Sequence, residues 1–222
     1  MKIKIFTIIF LLGSFFIKDS FANTNVVEDL KSGNDHYVSG HLRHPRQDSD
    51  RRKEVSKAQG PKAVLLSCSD SRVPPEIVFD QGVGDLFVVR VAGNVLNEEN
   101  LGSIEYAIEH LGVKNIVVMG HSRCGAVTAA VGGVKAHGHV KSIISELLPA
   151  VREAKKRSCN KCDLVEVASH INVANIVKKL RSIFKIDVVG AYYDLDSGKV
   201  TFLETDRAVF SKIRPKPMKT AR

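Results

Sequence analysis

Short apolar runs, separated by amphipathic stretches, recur along most of the chain. KAVLLS (62–67), DLFVVRVAGN (85–94) and NIVVMG (115–120) are rich in Val, Leu and Ile, as are strands that are buried on both faces of a parallel sheet. IDVVGAYYDL (186–195) and KVTFLE (199–204) are joined around the turn residues DSG, which predicts a further strand and its hairpin partner. The pattern therefore predicts a mainly parallel central sheet.

The stretches between these runs have helical periodicity. In the first of them the apolar residues recur at 3-4-3 spacing and Gly112 supplies a stop signal; they are Leu101, Ile104, Ile108 and Leu111. Three more amphipathic or small-residue stretches follow, at 126–131, 142–157 and 166–184. Strands that alternate with helices predict an α/β domain whose sheet is flanked by helices.

The two ends of the chain differ in composition from its middle. Residues 1–22 combine a positive MKIK start, an apolar run of 13 residues and small residues at Ser20 and Ala22. This order predicts a secretory signal peptide that is cleaved after Ala22. The apolar run is short for a membrane span, but it is near the minimum length that could anchor, so an uncleaved anchor is the alternative. We expect a soluble, exported mature chain without stable membrane insertion, and a bacterial periplasm fits it best.

The remaining chain divides into three parts. Residues 23–60 are polar and basic, with helical features around VVEDLKSGN, and are interpreted as an N-terminal arm rather than a core element. Residues 61–210 form the α/β domain, and residues 211–222 form a basic C-terminal tail. The formal net charge is +9, yet the basic residues are not interleaved with aromatic ones, so nucleic-acid binding is not favoured.

Two short motifs carry candidate chemistry. SCSDSR (67–72) follows the first predicted strand and GHSRCG (120–125) ends the third, and sites in such sheets form at the carboxyl ends of strands. His121 and Cys124 are three residues apart at a helix start, so they share a face, and Cys68 joins them from a neighbouring strand end. Two thiolates and one imidazole suit zinc with an open fourth position, which is the catalytic arrangement.

A carboxylate and a guanidinium accompany these ligands. Asp70 lies two residues after Cys68 and can reach the fourth position, and Arg72 can hold Asp70 away by a bidentate bond. A water on zinc can then ionise to hydroxide. Because two anionic thiolates weaken the metal's pull on that water, we expect a water pKa above the value of about 7 known from three-histidine sites. Activity should therefore rise into the alkaline range and be suppressed below neutrality.

Less specific interpretations of these residues stay open. The three soft ligands could hold a buried structural zinc or could be free thiols beside a histidine. Asp70 and Arg72 could form a plain structural ion pair.

Together the two motifs resemble the β class of carbonic anhydrases. The resemblance extends from about Leu30 to Leu203 and rests on five segments: GN at 33–34, SCSDSRVPPE, GDLFVVRVAGN, SIEYAIEHLGVKNIVVMGHSRCGAV and GAYYDLDSGKV. It implies that zinc is the cofactor and that Cys68, His121 and Cys124 ligate it. It also implies that Asp70 and Arg72 form a gating dyad, with Asp70 as a possible ligand in the fourth position.

The resemblance extends to the substrate pocket. In plant-type members the matching residues line it, which implies this role for Gln59, Phe87 and Tyr106; packing is the alternative role for all three. Members with an allosteric bicarbonate site carry a Trp where this chain has Leu65, although Arg90 matches their arginine. The family forms homodimers or larger homo-oligomers whose pockets use both chains, and the arm would wrap the neighbour.

The predicted function is the zinc-dependent, reversible hydration of carbon dioxide to bicarbonate and a proton. One alternative is a hydrolase of CS2 or COS on the same fold, because both molecules are also linear, apolar and electrophilic. Another alternative is a non-catalytic, zinc-binding interaction protein. Cys159 and Cys162 are predicted to form a local disulfide in an exported protein, with a redox motif or a second metal site as alternatives.

Overall fold

The computed structural model describes residues 26–157 and 163–203. The predicted signal peptide, the Cys159–Cys162 pair and the basic tail lie outside the described residues. Seven helices and five strands are found in the described part, and their bounds in chain order are α1 Val26–Ser39, α2 Ser49–Val55, β1 Ala63–Ser67, α3 Pro75–Val78, β2 Leu86–Arg90, α4 Glu98–Glu109, β3 Asn115–His121, α5 Gly125–Val131, α6 Val140–Arg157, α7 Leu164–Ile183, β4 Asp187–Tyr193 and β5 Val200–Leu203.

The five strands form one sheet in the order β2-β1-β3-β4-β5. The first four are parallel to one another, and β5 pairs antiparallel to β4 across the hairpin that includes DSG. All five residues of β1 are buried, as expected for a central strand that is covered on both faces. The mainly parallel α/β fold predicted from the sequence is confirmed.

The strand order reverses beside β1. The chain passes from β1 to β2 on one side and then crosses to β3 on the other side. In open α/β sheets such a reversal leaves a crevice at the carboxyl ends of the two diverging strands. Cys68 directly follows β1 and His121 ends β3, so both lie at this crevice.

Helices cover both faces of the sheet. On one face, α4 and α7 pack against the strands, with α5 and α6 next to α7; the buried residues there include Ile104, Leu147, Ile171, Val173 and Leu180. On the other face, α1 and α3 pack around a second apolar cluster, which includes Leu30, Leu65, Val78, Phe79 and Met119. Within the described residues, no helix combines the length and the apolar character that crossing a bilayer requires.

The N-terminal segment differs from the predicted arm in its first part. Leu30 on α1 is fully buried against the chain's own sheet, so α1 is a core element. Gly33 allows the close approach, because a Cβ there would lie 1.8 Å from Phe79 O. Asn34 then donates to Val78 O and Gly198 O and accepts from Val200 N. The polar composition of the segment hid this buried face.

The run DLFVVRVAGN is shorter as a strand than predicted. β2 ends at Arg90, and Ala92–Asn94 form a 3-10 turn. Gly93 and Asn94 both have positive φ, at 69° and 43°, which turns the chain sharply away from the sheet. This turn comes to lie beside the candidate metal ligands.

Candidate metal centre

Cys68, His121 and Cys124 converge at the crevice beside β1. Their candidate ligand atoms all lie within 4.8 Å of one another, and the two sulfurs are 4.0 Å apart. All three side chains are buried. Cys68 comes from the end of β1, His121 from the end of β3, and Cys124 is the N-cap residue of α5. The structure therefore brings together the three residues that the two motifs predicted as ligands.

The imidazole of His121 is oriented by its own loop. Nδ1 lies 2.9 Å from Ser122 O, and because a carbonyl only accepts hydrogen bonds, Nδ1 carries the proton. Nε2 is then unprotonated and carries a lone pair. It is buried without a hydrogen-bond partner among the described residues. Ser122 is itself fixed, since its N–H donates to Tyr193 O and its Oγ accepts from Leu195 N.

The two thiols differ in their surroundings. Hydrogen bonding from the Cys124 thiol lowers the pKa of Cys68 to about 4, with support from the N–H groups of Asp70 and Gly93. Those N–H groups lie 3.4 Å and 3.2 Å from Cys68 Sγ. The same pairing with Cys68, together with burial, raises the pKa of Cys124. The pair therefore holds one negative charge before any metal binds.

The residues present fit a zinc ion. Two sulfurs and one imidazole nitrogen are zinc's preferred donors, and a site with three protein ligands leaves a position open for a small molecule. The buried, unpartnered Nε2 of His121 is otherwise unexplained, because buried polar atoms normally have a partner. A metal bound by the three side chains would satisfy it.

Asp70 stands at the open side of these ligands. Its Oδ2 is 3.9 Å from His121 Nε2. Arg72 holds the carboxylate by a bidentate pair, Nε to Oδ1 at 2.9 Å and the terminal nitrogen to Oδ2 at 2.7 Å, and the backbone N–H of Arg72 adds a third bond. These hydrogen bonds hold the pKa of the Asp70 carboxyl well below its usual range. Asp70 is therefore ionised and is held beside the ligands.

Arg90 contributes a contact that the sequence did not reveal. Its guanidinium donates to Cys68 O at 3.1 Å and to Asp70 O at 2.7 Å. Arg90 is the last residue of β2, which pairs with β1, and its two hydrogen bonds fix the loop that carries Cys68 and Asp70.

Leu65, which stands where some family members have a Trp, is fully buried on the opposite face of the sheet.

The predicted pocket residues are not brought to the ligands within one chain. Phe87 and Tyr106 pair with each other at a ring distance of 6.2 Å. Phe87 is opposite Val64 in the sheet register, four residues and thus about 13 Å along β1 from Cys68. Tyr106 is 46% exposed. Gln59 is exposed in the segment between α2 and β1.

A cavity lies at the opposite end of the sheet from the metal centre. It has a volume of about 470 Å³ and is found at the amino ends of β3 and β4. Its lining includes Val26, Asn115, Arg181, Asp187 and Phe202. None of the candidate metal ligands borders it, so this cavity is separate from the metal centre.

The chain is similar in sequence and in fold to proteins that are named carbonic anhydrases. The carbonic anhydrase family profile matches residues 63–200. Carbonic anhydrase 2 of Mycobacterium tuberculosis is 40% identical over 191 residues, which cover 80% of this chain and 92% of that protein. The carbonic anhydrase of Mycolicibacterium smegmatis is 40% identical over 183 residues, 77% of this chain and 88% of that protein.

Solved structures agree with these sequence matches. The β-carbonic anhydrase CcaA aligns over 81% of this chain and 93% of its own, with 26% identity and a TM-score of 0.61. A tetrameric β-carbonic anhydrase from Sordaria macrospora has the same fold, with 24% identity, a TM-score of 0.64, and coverage of 82% of this chain and 98% of its own. The fold, the ligand set and the sequence matches agree, and the chain belongs to the β-carbonic anhydrase family.

Proposed function

We propose that this protein is a zinc-dependent carbonic anhydrase that interconverts carbon dioxide with bicarbonate and a proton. One observation carries the proposal: Cys68, His121 and Cys124 present three donor atoms within 4.8 Å, with an ionised Asp70 at their open side. A closed structural site would need a fourth soft ligand. The relatives described above are carbonic anhydrases, and no contact in the described residues favours CS2 or COS hydrolysis or a purely binding role.

The three ligand side chains have distinct tasks. Cys68, His121 and Cys124 would hold zinc through Sγ, Nε2 and Sγ. When bound, zinc supplies a Lewis acid that makes a water molecule nucleophilic near neutral pH. The backbone carbonyl of Ser122 accepts a hydrogen bond from His121 Nδ1–H. This bond orients the imidazole so that the Nε2 lone pair would face the metal.

Asp70 and Arg72 control the open position. While Arg72 donates hydrogen bonds to both carboxylate oxygens, Asp70 stays beside the site as a hydrogen-bond acceptor and does not ligate the metal. The fixed negative charge can orient the water that attacks carbon dioxide. If Arg72 released the carboxylate, Asp70, whose Oδ2 lies 3.9 Å from His121 Nε2, could occupy the open position and block the reaction.

We propose further that the working unit is a homodimer or a larger homo-oligomer. Carbon dioxide is apolar and needs an apolar surface near the metal, yet Phe87 and Tyr106 lie away from the ligands of their own chain. The exposed face of Tyr106 would supply this surface to a second copy. The tetrameric state of the Sordaria macrospora relatives agrees with such an assembly.

Export to the periplasm is the proposed location. It is supported by the charge, length and small-residue pattern of residues 1–22. Mass measurement of protein from the periplasmic fraction should give a chain that begins at Asn23. A chain that retains Met1 and stays in the cytoplasmic fraction would refute this location.

The ligand assignment is tested by a matched pair of histidine variants. His121→Ala should lose most bound zinc and hydration activity together, because one of three ligands is gone. His139→Ala, in the exposed segment between α5 and α6, should keep both. Zinc content and carbon dioxide hydration are measured on the same preparations. Full zinc and full turnover in His121→Ala would overturn the proposal.

A further inference from the structure

A buried asparagine on α7 is bonded to the turn beside the metal centre. Asn172 is 5% exposed, between the fully buried Ile171 and Val173. Its Nδ2 donates to Gly93 O at 3.0 Å, across 79 positions of sequence. An amide buried among apolar side chains costs free energy unless its hydrogen bonds are made. The bond to Gly93 accounts for a polar residue at this place in the helix.

The turn that Asn172 holds is tightly constrained. Gly93 has a φ of 69° and Asn94 a φ of 43°, and two consecutive residues in the left-handed region are costly outside glycine. A Cβ on Gly93 would lie 3.1 Å from Leu147 Cδ1 and 3.2 Å from Ala126 Cβ. Helices α5 and α6 therefore confine the turn on one side, and Asn172 of α7 fixes the direction of its carbonyl.

The same glycine contacts a metal ligand. Its N–H points at Cys68 Sγ, with the nitrogen 3.2 Å from the sulfur. Among the described residues, the second backbone donor to this sulfur is the N–H of Asp70, at 3.4 Å. Such donors stabilise a thiolate's charge and orient its remaining lone pairs. The position of the Gly93 turn thus acts on the sulfur.

We propose that Asn172 is a positioning residue of the metal centre. By holding Gly93 O, it keeps the Gly93 N–H directed at Cys68 Sγ and so orients that sulfur toward the metal. Helix α7 supplies none of the three metal ligands, and Asn172 gives it an indirect role in the site. The inference rests on the proposed metal centre and adds a residue outside both motifs.

A second asparagine on the same helix provides a matched control. Asn175 is three positions further on, and its Nδ2 lies 3.5 Å from Glu153 Oε2 at the exposed surface. Asn172→Leu and Asn175→Leu remove the same amide from the same helix. Zinc affinity is measured for the full-length proteins by competition with a chromophoric chelator, and the thiolate charge-transfer band is recorded with Co²⁺.

Asn172→Leu should lower zinc affinity about tenfold, the low end of what outer-shell partners contribute, and should shift the Co²⁺ band. Asn175→Leu should match the wild type in both measurements. Wild-type affinity and an unchanged band in Asn172→Leu would overturn the inference, as would equal effects in the two variants. A wild-type protein that binds no zinc would instead reject the metal centre itself.

If Asn172→Leu fails to fold, the wild-type protein gives the test. Protein labelled with ¹⁵N in glycine and asparagine is loaded with ¹¹³Cd. The Gly93 amide proton should couple to the metal through Sγ, and the Asn172 side-chain amide resonances should move on metal loading. Absence of the coupling, or Asn172 resonances that are the same with and without metal, would overturn the inference.

Discussion

At the residue scale, Cys68 and Cys124 share one proton. This shared proton determines how many protons zinc must displace when it binds. Cys68 has a pKa lowered to about 4 and is already a thiolate at neutral pH. The pKa of Cys124 is raised, so it remains a thiol. Zinc takes both as thiolates, so binding must displace the proton of Cys124.

Zinc binding near pH 7.5 should therefore release about one proton from the thiol pair. Calorimetry in buffers of different ionisation enthalpy measures the release. Two independent thiols of ordinary pKa would release nearly two protons near pH 7.5, and that result would contradict the shared charge.

The Asp70–Arg72 pair should control turnover without controlling metal content. The pKa of Asp70 lies well below its usual range, so Asp70 stays ionised and competes for the open position at every working pH. Asp70→Ala should keep zinc yet lose turnover about a hundredfold at alkaline pH, because the water loses its positioning group. The surface pair Asp50–Lys53 supplies the control Asp50→Ala.

The shape of the pH profile separates gating from a plain ion pair. Because its pKa is depressed, Asp70 does not titrate in the working pH range. The pH dependence of the gate then comes from the water that competes with Asp70 for the open position on zinc. That water would bind zinc strongly only where it can lose a proton. Asp70→Ala should retain a larger fraction of its own alkaline activity at mildly acidic pH than the wild type does. Identical relative profiles would contradict the gate.

Motif spacing was sufficient to predict that Cys68, His121 and Cys124 converge and that Asp70 and Arg72 pair beside them. Each motif is contiguous, and the parallel arrangement of β1 and β3 places their ends together. The contacts of Arg90 and Gly93 could not be predicted in this way, because they depend on how β1 pairs with β2 and on the left-handed turn after it.

At the scale of elements, Asn34 supplies the hydrogen bonds that join α1 to the rest of the fold, beside the apolar packing of Leu30. Asn34 makes three hydrogen bonds to the backbone of Val78, Gly198 and Val200. Asn34→Ala should lower the free energy of unfolding by about 3 kcal/mol, at about 1 kcal/mol for each bond. Denaturant unfolding measures the change, and exposed Asp35→Ala is the control. A loss below about 0.5 kcal/mol, typical of surface sites, would show that α1 docks by other means.

Elements with strong apolar patterns were predicted well, and polar or very short ones were not. β1, β3 and α7 lie close to their predicted bounds. α2 buries no residue and is fixed by Asp48 as its N-cap, so it has no periodic signal. α3 has four residues and begins at a proline, which is too short for periodicity to show.

At the scale of the whole molecule, the proposed pocket needs two chains. If Tyr106 of one copy serves the metal site of another, chains with Cys124→Ser and chains with Tyr106→Ala should each be impaired alone. Mixed and reassembled, they should regain about a quarter of wild-type turnover, since half of the dimers are mixed and each has one intact pocket. No gain over the unmixed preparations would place Tyr106 outside the partner's pocket.

The proposed activity is tested most directly by stopped-flow hydration of carbon dioxide at mildly acidic and alkaline pH, with zinc content measured on the same protein. A zinc enzyme gated by Asp70 should show fast, zinc-dependent turnover at alkaline pH and strong suppression at mildly acidic pH. Full zinc occupancy without hydration at either pH would contradict the proposed activity.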